Sequence, residues 1–126
     1  MTADLYLKNG RVVTEDDVFP GGVLVSGEKI VEIVHGDKPV QAETSVDLQG
    51  KILMPGIVDG HAHFNEPGRE IWEGYHTGTM AAAAGGVTTV LEMPLNSTPP
   101  TINRKELNRK REVVLDKAVV DYAQWG

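Results

Sequence analysis

Short apolar stretches separated by turn residues fill the first fifty positions of the chain. Leu5–Lys8 and Arg11–Thr14 flank Asn9-Gly10, a dipeptide that tolerates the positive φ angles of a type I′ turn. This pattern predicts a first hairpin. Gly21-Gly22 predicts a break in the chain. Val23–Ser26 and Ile30–Val34 then flank Gly27-Glu28, a second predicted hairpin. The polar stretch His35–Thr44 reads as a loop and Ser45–Leu48 as a further short strand. Together these make a small β region, a sheet or half of a sandwich, whose edges need cover.

The rhythm changes after Lys51. Ile52-Leu53-Met54 and Ile57-Val58 are apolar with little alternation, as in a strand buried on both faces of a parallel sheet. Gly74–Ala84, with four consecutive alanines, predicts a helix that Gly85-Gly86 ends. Val87–Met93 predicts a second buried strand, and Pro94–Pro100 a loop. Asn103 and Glu106 have the spacing of a capping box and open a helix over Arg104–Lys117, with Leu107, Val114 and Leu115 facing inward. Ala118–Ala123 predicts a third strand. Strand, helix, strand, helix, strand with short connections gives two βαβ units and a parallel sheet. The expected fold class is α/β, with a β region over residues 1–52 and an α/β region over 53–126.

Composition narrows the function classes. The 126 residues are 40 % hydrophobic and 24 % charged, close to the globular average, which argues against disorder. Twelve basic against eighteen acidic side chains give a net charge of −6, a poor match for nucleic acid or an anionic membrane. The excess is uneven: ten acidic against five basic residues up to position 60, and eight against seven beyond it. Cysteine is absent, which excludes disulfides, thiolate metal sites and cysteine nucleophiles. No apolar run is long enough for a membrane helix, and the start lacks the pattern of a secretory signal, so a cytoplasmic location is expected. The basic run Arg104, Lys105, Arg109, Lys110, Arg111 is interrupted by Glu106 and Glu112 and reads as a solvated helix face rather than an anion site.

Candidate chemistry concentrates in Met54–Arg69, MPGIVDGHAHFNEPGR. His61 and His63 are two residues apart. On a strand such residues share a face at ~6.6–7 Å along the chain. Two imidazoles so placed can together ligate one divalent ion, each at ~2.0–2.1 Å, if the rings converge. Zinc suits imidazole, as do cobalt and manganese in its place. Two histidines do not complete a catalytic site, which takes three protein ligands and an open position. Asp59 either orients a histidine from behind or caps the strand end. Asn65, Glu66 and Arg69 follow in a loop that would overhang the pair, where Glu66 is one choice of general base. Asn96, Ser97 and Thr98 in the second loop can offer hydrogen bonds, although asparagine is also a favoured turn residue. His35 and His76 read as structural. Gly85-Gly86 closes a helix and opens none, so it is not a phosphate loop.

These motifs resemble the cyclic amidohydrolase branch of the amidohydrolase superfamily, and within it the allantoinase family. The resemblance runs along nearly the whole chain. It is carried by DLQGKILMPGIVDGHAHFNEPGR, by the segment Trp72-Glu73-Gly74 with the following TGT and AAAAGG, by EMPLNSTPPT and by DYAQWG. Asn65 stands where dihydroorotases carry an arginine that holds a substrate carboxylate, and allantoin has no carboxylate. The resemblance implies the start of a (β/α)8 TIM barrel with about three strands present, preceded by part of a small β-sandwich domain. It implies a metal-dependent hydrolase that opens the hydantoin ring of allantoin to give allantoate, with His61 and His63 as first ligands of a binuclear or mononuclear centre. Asn65 and Asn96 would contact the substrate. In the family the bridging carboxylated lysine, two further histidines and the aspartate base come from later strands, so the chain is expected to end within the barrel. It is then expected neither to hold metal tightly nor to turn over substrate alone. A homo-oligomer, a tetramer among relatives, is implied for the full-length protein. A hydantoinase or dihydropyrimidinase, or a non-catalytic relative, are the competing expectations.

Overall fold

The structure is a computed structural model that describes residues 3–126. The chain divides into two compact units, with the boundary between Pro55 and Gly56. That is three residues beyond the expected boundary, because Ile52–Leu53 pairs with the first sheet rather than opening the second.

The first unit is one five-stranded sheet. Its strands are β1 (Ala3–Val13), β2 (Val18–Ser26), β3 (Lys29–His35), β4 (Ala42–Asp47) and β5 (Ile52–Leu53), in the order β3-β2-β1-β4 with β5 also on β1. The hairpin at Gly27-Glu28 forms as expected. The hairpin at Asn9-Gly10 does not. Asn9 has φ 55°, but the strand runs on through it and the register with β2 shifts between Leu7 and Gly10. A positive φ serves a bulge as well as a turn, and pairing on both sides of β1 holds the strand together. Nor do Gly21-Gly22 break the chain. They lie inside β2, where a Cβ at Gly21 would strike the Val34 carbonyl and one at Gly22 the Leu7 carbonyl. The glycines permit close backbone approach within a strand. Ala3, Tyr6, Leu24 and Val34 form the buried cluster of this unit.

The second unit is a parallel three-stranded sheet in the order β6-β7-β8, with β6 Ile57–Ala62, β7 Val87–Glu92 and β8 Asp121–Gln124. Helix α1 (Tyr75–Ala84) joins β6 to β7, and α2 (Arg104–Val114) joins β7 to β8. The expected βαβ order is thus observed. Asn103 caps α2, its side chain accepting from the Glu106 N–H at 3.0 Å. Phe64, Tyr75, Val90 and Val114 form the core, with Ala62, Val87, Val113 and Tyr122 packed around it. A Cβ at Gly78 would strike the Phe64 ring, so glycine there lets Phe64 settle on α1.

Three burial expectations fail. Ile57 and Val58 are 47 % and 61 % exposed, and Ile52 is 62 % exposed, so the strands are not covered on both faces among the described residues. The cluster on this sheet draws its helical residues from α1 and α2 and reaches neither of these side chains. On α2 the inward stripe is Glu106, Leu107, Lys110, Val113 and Val114 at helical spacing, while Leu115 is 69 % exposed. Lys110, expected on the solvated basic face, is 1 % exposed.

Candidate metal centre

His61 is the penultimate residue of β6 and His63 lies just beyond the strand. Their Nε2 atoms face each other at 3.3 Å, with ring centroids 5.2 Å apart and planes tilted by 59°. Two ligands at ~2.0–2.1 Å from one ion, at a tetrahedral angle, stand about 3.3–3.4 Å apart. The two imidazoles therefore converge as a pair of metal ligands must. His61 is exposed and His63 half-buried. Among the described residues, no third His, Cys, Asp or Glu joins them in a group able to hold a metal ion.

Local structure explains the convergence. The β6–β7 register shifts between Asp59 and Ala62. Asp59 spans that irregularity by accepting the His61 N–H at 3.0 Å, a side chain bonding the backbone two residues on. Of its two expected roles, the recorded contact is the strand-end cap. Between the histidines, Ala62 packs into the core and its carbonyl accepts the Met93 N–H at 2.8 Å.

Asn96 reaches the pair from the second loop. Its φ is 70°, and its amide nitrogen stands 3.4 Å from His63 Nδ1, the ring nitrogen that faces away from His61. Asn65 is buried, with φ 51°, and its amide donates to the Glu73 carbonyl at 3.3 Å. Glu66 is 2 % exposed and is built into the scaffold. One oxygen accepts the Tyr75 N–H at 2.9 Å and the other pairs with Lys117. It thereby caps α1, whose N-cap Gly74 has no side chain to do so. Arg69 lies 4.9 Å over the Trp72 ring. Ser97 is buried with its hydroxyl donating to the Pro94 carbonyl at 3.4 Å, and Thr98 N–H donates to the Pro67 carbonyl at 2.7 Å, tying the two loops together. His35 stacks on Phe19 at 4.0 Å and His76 Nδ1 lies 3.3 Å from the Lys117 carbonyl, so both have the structural surroundings expected.

Sequence reasoning missed a buried polar cluster at the carboxyl end of β7. Glu92, Lys110 and Tyr75 are each almost fully buried. Burial pushes the Glu92 carboxyl upward against the opposing pull of Lys110, and pushes the Tyr75 hydroxyl upward as well. The signal was present: Glu92 ends an otherwise apolar β-branched strand, and Lys110 is four residues from Glu106 and Val114 on the inward face of α2.

A parallel βαβαβ unit with two converging histidines at the end of its first strand defines the class: the opening part of an α/β fold that carries a candidate metal pair. Residues 52–122 match the amidohydrolase family profile, and the chain belongs to that family. It is 46 % identical over 124 residues to an allantoinase of Streptomyces avermitilis, covering 98 % of this chain and 28 % of the relative. An allantoinase of Salmonella choleraesuis is 44 % identical over 126 residues, all of this chain and 27 % of the relative. Among solved structures, the L-hydantoinase (dihydropyrimidinase) of Arthrobacter aurescens superposes with a TM-score of 0.88 at 30 % identity, over 99 % of this chain and 28 % of that one. The dihydropyrimidinase of Brevibacillus agri gives 0.76 at 34 % identity, over 94 % and 26 %. The chain thus spans little more than a quarter of the length of these relatives. Family membership implies a divalent metal site. No helix among the described residues is long and apolar enough to cross a membrane.

Proposed function

We propose that this chain supplies the first metal ligands and the first two substrate-facing loops of an allantoinase. The reaction is hydrolysis of the ring amide of allantoin to give allantoate. The observation that carries this reading is the convergence of His61 and His63 Nε2 at 3.3 Å, in a chain 44–46 % identical to allantoinases. His61 and His63 would hold a divalent ion, zinc first and cobalt or manganese in its place, within a binuclear centre completed by ligands outside these 126 residues. When bound, the ion lowers the pKa of water and polarises the ring carbonyl. Asp59 keeps the His61 backbone in register. Asn96, beside the pair, is better placed for a ureide than Asn65, whose amide nitrogen is committed to the scaffold. The absence of a cation at Asn65 fits a substrate without a carboxylate. A soluble cytoplasmic homo-oligomer acting on a small molecule, with no nucleic-acid or membrane partner, completes the reading.

Hydantoinase or dihydropyrimidinase is the second reading, favoured by the superposition on the Arthrobacter enzyme. Two chimeras separate them. In one, this chain replaces its matching segment in the Streptomyces avermitilis allantoinase; in the other, in the Arthrobacter aurescens hydantoinase. Opening of allantoin by the first within about tenfold of its parent, lost in His61→Ala and His63→Ala, is the expected result. An inactive first chimera beside an active second one would move the assignment to the hydantoinases.

A further inference from the structure

The buried cluster at the end of β7 takes no part in the chemistry proposed above. Lys110 Nζ pairs with Glu92 Oε2, and Tyr75 OH donates to the same oxygen at 3.2 Å. Gln124 Nε2 donates to Tyr75 OH at 3.0 Å. One carboxylate thus joins β7 to both helices and, through Tyr75, to β8. The main chain of Glu92 does the same for the strands. Its carbonyl accepts the Trp125 N–H at 2.9 Å, and its cross-strand partner is Ala62, the residue between the two histidines.

That pairing matters because of where it falls. The β6–β7 register shifts between Asp59 and Ala62, so regular pairing does not set the position of His61 and His63. Glu92 is the first β7 partner after the shift. A buried ion pair adds little net stability over apolar residues of the same volume, and its better-supported use is to select one geometry. Gln124 Oε1 has no hydrogen-bond partner among the described residues, so this cluster is a poor device for stability alone.

We propose that Glu92, locked by Lys110 and Tyr75, is a positioning residue that sets the spacing of His61 and His63 through its pairing with Ala62. The proposal rests on the reading of the histidines as a metal pair. Its test compares the chain with Glu92→Met/Lys110→Met, which replaces the ion pair by apolar side chains of similar length. Two readouts are taken: imidazole NMR signals before metal is added, and their paramagnetic broadening on titration with Co2+, which detects binding into the millimolar range. The double variant is expected to keep its Tm within a few degrees, to shift the signals of both imidazoles without metal, and to bind Co2+ about tenfold or more weakly. Glu92→Gln, which keeps the shape, is read in the same way should the double variant not fold. Asn103→Ala, which weakens α2 at its cap, must leave the Co2+ affinity unchanged. Unshifted imidazoles and unchanged affinity in a folded variant would overturn the positioning role. No selective broadening of His61 and His63 in the parent chain would instead overturn the metal-pair reading, and this proposal with it.

Discussion

Glu66 illustrates how direction, rather than identity, decides what a side chain does. A carboxylate three residues beyond a candidate metal ligand, His63, invites a role in proton transfer. Here both oxygens are spent, one on the Tyr75 N–H and one on Lys117, and the side chain is buried. Its contribution is to stability. Glu66→Ala leaves the α1 amide unmet and Lys117 unpaired, and is expected to cost ~1–3 kcal/mol; urea unfolding of the variant measures this. Lys117→Met, which removes a partner that is 42 % exposed, should cost distinctly less. Asp59 follows the same logic at a smaller distance. Its carboxylate grips the His61 backbone across the register shift, so Asp59→Asn, which keeps an accepting oxygen, should preserve the histidine spacing that Asp59→Ala loosens. Imidazole NMR signals of the two variants distinguish these outcomes.

At the scale of elements, what was legible depended on whether local chemistry or distant partners made the choice. The Asn103 cap, the alanine-rich α1 and the β-branched β7 are written in adjacent residues, and they form close to the expected bounds. Asn103→Ala is therefore expected to lower stability by ~1 kcal/mol, read by thermal unfolding, since the lost bond to the Glu106 N–H is a local one. Asn9-Gly10 shows the opposite case. The dipeptide allows a turn, but strands on both sides of β1 hold it extended, and those partners lie far along the chain. The parallel pairing of β1 with β4 and β5 was not legible for the same reason. Lys110 was misread because one position in a basic run can face inward while its neighbours face water. The approach of His61 and His63 was legible because their spacing on one strand sufficed; Glu92 left a fainter sign, an acid closing a β-branched strand, and its partners Lys110 and Tyr75 lie on separate helices.

At the scale of the whole chain, the buried cluster also sets a pH limit. Burial raises the Tyr75 hydroxyl above its ordinary value of 10.0, with the Glu92 charge adding to the effect. A group that ionises later in the folded protein than in the unfolded chain binds more protons when folded. Its contribution is fully present below about pH 10 and is lost as the pH rises beyond it. Tm should therefore fall progressively as the pH rises above about 10, and Tyr75→Phe should flatten that fall while losing some stability at neutral pH. Metal binding is the larger consequence at this scale. The two imidazole Nε2 atoms lie 3.3 Å apart, close enough to share one ion, but no third His, Cys, Asp or Glu stands with them among the described residues. A catalytic zinc centre needs about three protein ligands, and each missing one removes most of the affinity that chelation confers. The 126-residue chain is thus expected to bind Zn2+ more weakly than micromolar and to open no allantoin ring. Isothermal titration with Zn2+ tests this directly. Stoichiometric, tight binding lost in His61→Ala would mean that these residues close a metal site by themselves, against the reading of the pair as one part of a larger centre.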